Sequence, residues 1–227
     1  MAGLFAHAWI ANLVLKELSK RDFISSYENV DDYFFGSIAP DIRYIKNSAR
    51  DVTHRPYGSN SIFEALKISS LSMPFMAGYE THLIVDSTWA NDNGAMGKSI
   101  YQNYGIDAND PIQKYSLYLA VDDYFQGEAD WLFQFEAAGN ILRANDTSIL
   151  AKLGFSQSDI GKYKIAASAY VLEPGIDRFN VFNLLPRNFE ESFLQKAVDQ
   201  IPSMSSFLKD FKRISLEKCV ESLELYL

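Results

Sequence analysis

The chain has 227 residues, of which 48% are hydrophobic and 14% aromatic, enough for one packed domain that needs no disulfide or metal merely to fold. Its 21 basic and 29 acidic residues give a net charge of -8, which argues against strong nucleic-acid binding. The single cysteine, Cys219, rules out an internal disulfide framework and fits a reducing compartment.

Leu4, His7, Ala11, Val14, Leu15 and Leu18 recur at three- and four-residue spacing and predict an amphipathic first helix. This N-terminus lacks the basic start and small-residue cleavage site of a signal peptide, and no segment is apolar for the ~18–20 residues of a transmembrane span. The expected compartment is therefore the cytoplasm. A turn-rich stretch, Gly36-Ser37-Ile38-Ala39-Pro40-Asp41, precedes a second segment from Asn60 to Ser72. Pro74 stands in the first turn of a strongly apolar helix to about Trp89, and Asn91-Asp92-Asn93-Gly94 stops it.

Asp110-Pro111 reads as a cap followed by a first-turn proline, opening one long helix that reaches Arg143. Ser156 with Asp159, and Asn188 with Glu191, carry the helix-start pairing of a capping residue and an acid three places on. Ile165 to Leu172 suits either a helix or a short strand. Two final helices carry Phe189, Phe193, Leu194 and Val198, then Phe207, Phe211 and Ile214. The fold class expected is an all-α multi-helix bundle in one domain spanning 1–227. Residues 1–90 carry the candidate ligand motifs and 91–227 complete the packing.

The sequence has only three histidines. His82 and Asp86 are four residues apart, so both project from one helix face in an otherwise apolar run. A buried aspartate is costly unless paired, hydrogen-bonded or metal-bound. The pair suits two ligands of one cation, or equally a His–Asp hydrogen bond between helices. His7 lies on the inward stripe of the first helix, Asp41 follows the rigid Pro40, and His54 sits in a loop segment. Each alone suits a structural role as well, Asp41 as a helix cap. Together they offer five N and O donors suited to one zinc site, or to two sharing a carboxylate.

The order His7, Gly36 to Asp41, Thr53-His54, then Gly78-Tyr79-Glu80-Thr81-His82-Leu83-Ile84-Val85-Asp86 resembles the zinc-dependent phospholipase C family. That family is all-helical and related to the single-strand-specific zinc nucleases. The resemblance covers about Met1 to Trp89. It implies that Asp41, His54, His82 and Asp86 hold one zinc and that His7 joins Asp86 on a second, making Asp86 the bridging carboxylate. The family's third zinc uses a further histidine pair, one of them in an HxxxE helix, and no histidine follows His82. The third site therefore cannot be built the family's way. Glu128 is the nearest local counterpart and a possible additional carboxylate, with a surface role as its alternative.

The function so implied is zinc-dependent hydrolysis of a phosphoester, including a phospholipid head group, by a metal-activated water. Asp41 or Asp86 would take the proton, and Arg55 beside His54 would clamp the phosphate. Arg55 or Lys46 would have to neutralise the substrate charge that the third zinc meets in the family. Phe34, Phe35, Tyr44 and Trp89 are candidates for an apolar surface toward lipid, or for core. The competing reading is a metal-binding or metal-free helical interaction module without catalysis. No nucleotide-binding glycine motif and no Gly-x-Ser-x-Gly elbow occurs.

Overall fold

The computed structural model describes residues 3–19, 30–54, 73–90, 102–103, 105–107, 109–175, 177–182 and 191–224. Every regular element among them is helical, as the fold class requires. Helix α1 spans Leu4–Ser19 and α2 spans Val30–Ile38; a 3-10 turn, Ala39–Ile42, leads into α3, Arg43–Lys46, and α4, Arg50–Thr53. Then follow α5 (Met73–Ala90), α6 (Pro111–Glu128), α7 (Trp131–Arg143), α8 (Ser148–Lys152), α9 (Gln157–Leu172), α10 (Asp177–Asn180) and α11 (Glu191–Glu224). The Asn60–Ser72 segment, the Asn91–Gly94 stop and the cap at Asn188 lie outside the described residues.

Helix α1 departs from the expected amphipathic form, since all of Leu4 to Ala11 is buried. The reason is its neighbourhood: α2, α5, α6, α9 and α11 all pack on it. Helix α5 is equally enclosed, between α1, α2 and α11. The α2–α5 contact is backbone against backbone. A Cβ on Gly36 would stand 2.2 Å from the Phe75 carbonyl oxygen, and one on Gly78 2.0 Å from that of Tyr33. Any side chain at either crossing would push the helices apart.

The long helix expected from Pro111 to Arg143 is two helices. Ala129 turns extended and Asp130 caps α7, its carboxylate accepting from the Phe133 amide at 2.7 Å. The break aims Phe133 into the core, 4.9 Å from the Trp9 ring and 6.0 Å from Phe5. The capping box at Ser156 and Asp159 is present in both directions, and Ile165–Leu172 is helical. The two expected C-terminal helices are one, with Pro202 inside it. Ala197, Met204, Leu208, Phe211 and Cys219 keep one buried stripe across the proline. Burying each large apolar side chain stabilises by about 1.5–3 kcal/mol, so several outweigh the ~3 kcal/mol cost of an internal proline.

Candidate metal centre

Local geometry around the Gly36–Gly78 crossing sets the site. It brings the Ser37 carbonyl within 2.9 Å of His82 Nδ1, and because a carbonyl only accepts, Nδ1 carries the proton. His82 Nε2 is thereby left with its lone pair facing inward. One turn later on α5 comes Asp86. The His7 ring of α1 stacks on His82, centroids 3.8 Å apart and planes within 10°. Asp41 is presented by the 3-10 turn after Pro40, and the Tyr163 hydroxyl of α9 donates to the Ile38 carbonyl at the turn's start. It caps no helix. His54 ends α4, where its Nδ1 shares a hydrogen bond with Thr53 Oγ1 at 2.8 Å. Tyr79 pins that end by donating to the Thr53 carbonyl at 2.7 Å.

The five side chains meet in the interior. His54 Nε2 lies 3.1 Å from His82 Nε2 and 3.5 Å from both Asp41 Oδ1 and Asp86 Oδ2. His82 Nε2 stands 3.8 Å from Asp86 Oδ2, and His7 Nε2 stands 3.4 Å from Asp86 Oδ1. Two overlapping groups of mutually close donors result, one of His7, Asp41 and His82 and one of His54, His82 and Asp86. Donors bound at about 2.0–2.1 Å to a tetrahedral zinc stand about 3.3 Å from one another. The observed separations bracket that value.

Several of the donor atoms are also unsatisfied. Both ring nitrogens of His7, Asp41 Oδ1 and Asp86 Oδ1 are buried without a hydrogen-bond partner. Each such group costs about 1–3 kcal/mol if nothing meets it. The residues present therefore fit a zinc ion in number, type and spacing.

Protonation states agree with that fit. Burial would raise the Asp41 pKa, but His54, His82 and His7 outweigh it and pull it down to about 2. Burial is likewise overcome at Asp86, which the adjacent His7 and His82 hold well below the usual carboxylate range. His82 is pushed well below its ordinary value, first by burial and then by His7. Ionised carboxylates and neutral imidazole are the forms that bind a metal.

A family model described as zinc dependent phospholipase C matches residues 6–144, more than half of the 227. The chain belongs to that family. No curated protein and no solved structure matches it. The match to the zinc-dependent phospholipase C family runs past Trp89, where the motifs end, through α6 and α7.

Not every expected site residue joins the cluster. Glu128 ends α6 at the surface and pairs with Lys212 at 2.5 Å. Lys46 is held away by Asp159 at 2.9 Å and the Gly154 carbonyl at 3.0 Å. Arg55 lies outside the described residues. Phe34, Phe35 and Trp89 are core, and Tyr44 is half-buried against Phe182, so they form no lipid-facing surface. Among the described residues, the large exposed aromatics are Trp131 and Phe135 of α7.

Two cations at the site, and a third near them, escaped sequence reasoning. Arg50 Nη2 is hydrogen-bonded to Asp86 Oδ2. Arg43 Nε lies 3.9 Å from Asp41 Oδ1. Lys114 of α6 is close enough to both arginines for their charges to lower its pKa, after burial has done the most. For Arg50 a signal existed: it precedes His54 by four residues, one helical turn.

No helix among the described residues is long and apolar enough to cross a membrane.

Proposed function

We propose that this chain hydrolyses a phosphoester, of the phospholipid head-group type, with one or two zinc ions held by His7, Asp41, His54, His82 and Asp86. The observation that carries the reading is the pooling of buried His and Asp donor atoms at zinc-like separations, with Asp41 Oδ1, Asp86 Oδ1 and both His7 nitrogens lacking hydrogen-bond partners. Asp41, His54, His82 and Asp86 would hold the first ion. His7 and the second oxygen of Asp86 would hold the other, which makes Asp86 the shared carboxylate.

Bound zinc supplies Lewis acidity, lowering the pKa of water from 15.7 toward about 7 and polarising a phosphoryl oxygen. The protein's own groups do the rest. The Ser37 carbonyl fixes the His82 tautomer and ring plane, as outer partners of ligating histidines commonly do. Asp86 is aimed with one oxygen toward His7 and the other toward His54 and His82. Asp41, ionised and needing one oxygen for the first ion, would accept the proton released by the attacking water on its other oxygen. Both His7 nitrogens, Asp41 Oδ1 and Asp86 Oδ1 are themselves buried, which keeps bulk water from them.

The test is metal analysis after zinc reconstitution, followed by assay on a nitrophenyl phosphodiester and short-chain phosphatidylcholine. The expected result is at least one zinc per chain and zinc-dependent turnover. Fewer than about half an ion per chain would overturn the site. Stoichiometric zinc without turnover would overturn catalysis and leave a metal-bearing interaction module.

A further inference from the structure

We propose that Arg43, Arg50 and Lys114 form a cationic rim over the His/Asp cluster that binds the non-bridging oxygens of a phosphoryl group. This assignment rests on the phosphohydrolase reading above and gives it an anion subsite built from side chains.

The three cations come from three elements, α3, α4 and α6, so only the fold brings them together. Gathering like charges costs energy, and Lys114 has its pKa lowered first by burial and then by Arg50 and Arg43. Asp86 and Asp41 offset part of the charge of Arg50 and Arg43. An anion received between the three cations would offset the rest.

Their placement suits that role. Arg43 spreads its guanidinium over the Tyr44 ring, 4.2 Å from the centroid, and donates to the Tyr44 hydroxyl at 2.7 Å. That stacking holds a planar fork on the Asp41 side of the cluster. Arg50 sits on the Asp86 side with its side chain 43% exposed, so it reaches both the buried donors and solvent. Lys114 is half-buried, with its ammonium 5.9 Å from the Tyr118 ring. Two guanidinium forks on the Asp41 and Asp86 sides of the cluster, with an ammonium contributed from α6, suit the several oxygens of a phosphoryl group.

Charge arithmetic points the same way. Asp41 and Asp86 contribute two negative charges, which one zinc ion balances. Substrate anion brought to that neutral centre needs further positive charge. This chain has no histidine beyond His82 to hold another ion in the family's manner. The rim provides that charge from the side chains themselves.

Titration calorimetry of inorganic phosphate into the zinc-loaded protein tests the rim, with bound zinc measured on every sample. Arg43→Gln, Arg50→Gln and Lys114→Met are each expected to weaken phosphate by about tenfold or more, the size of a lost charge-assisted hydrogen bond. Lys46→Met, whose ammonium is already engaged by Asp159 and the Gly154 carbonyl, should bind phosphate as the parent does. Lys114→Arg should retain most of the affinity, which separates lost charge from a damaged fold. Phosphate affinity within about twofold of the parent in Arg43→Gln and Lys114→Met, at full zinc occupancy, would overturn the rim and leave the metal site standing. Failure of the parent to take up zinc would overturn both.

Discussion

Asp86 and Asp122 are both buried carboxylates on helices that pack against α1, yet their oxygens end differently. Asp122 is saturated. It accepts from the Phe5 and Ala6 amides at 3.1 and 3.0 Å, closing the N-terminus of α1, and from the Tyr170 hydroxyl at 2.9 Å. Asp86 Oδ1 has no hydrogen-bond partner, and its neighbours are three imidazoles and a guanidinium. A buried network that closes on itself fixes structure. One that leaves several atoms open is costly to keep and marks a place where something binds.

The largest effect expected from this contrast is on metal binding. Asp86→Asn should weaken zinc by about a hundredfold or more, since it removes a charged ligand and the proposed bridge, whereas Asp122→Asn should leave zinc affinity unchanged. Competition with a chromophoric chelator measures both. Equal zinc losses in the two variants would erase the distinction. His7→Ala should cost less zinc affinity than Asp86→Asn, and a matching loss would argue against a shared carboxylate.

Stability should rank the other way. Asp122→Ala strips the α1 cap and strands the buried Tyr170 hydroxyl, so denaturant titration should show a loss of about 2–4 kcal/mol. Zinc should raise the melting temperature of the parent and of Asp122 variants, but not of Asp86→Asn.

The two kinds of aspartate should also respond to pH with opposite sign. Burial raises the Asp122 pKa despite Arg178 and its hydrogen bonds, so its stability contribution is complete below the ordinary carboxylate value of about 3.9 and is lost as pH rises through the raised one. Asp41 has a lowered pKa, so its contribution is complete above about 3.9 and is lost as pH falls toward the folded value. Stability curves of metal-free Asp122→Asn and Asp41→Asn against the parent should therefore diverge in opposite directions. Curves that diverge alike would break the comparison.

The smallest effect expected is that of Tyr79→Phe, which removes the bond to the Thr53 carbonyl. It should cost about 1 kcal/mol of stability and a few-fold in zinc affinity, through a loosened His54.

Much of the helical content is readable in the sequence, because capping pairs and apolar spacing are local. Ser156 with Asp159 is such a case, and so is Asp110 with Pro111. Where the reading fails, a local preference meets a distant demand. Asp130 breaks a helix so that Phe133 can join Phe5 and Trp9. Pro202 is carried through a helix because the buried stripe continues on both sides of it. Phe34, Phe35 and Trp89 could be core or surface by spacing alone, and packing put them inside.

By itself the sequence determined that this is a helical protein and that its three histidines stand beside two well-placed aspartates in family order. Residue type and spacing carry that information because ligand chemistry and helix periodicity are properties of short segments. Tertiary structure alone decided that the five donors converge, through the glycine crossing of α2 and α5. It alone separated Asp122 from Asp86, and set Arg43 and Arg50 beside the two clustered aspartates. Those outcomes depend on contacts between residues tens of positions apart, and a carboxylate's role follows from what surrounds its oxygens.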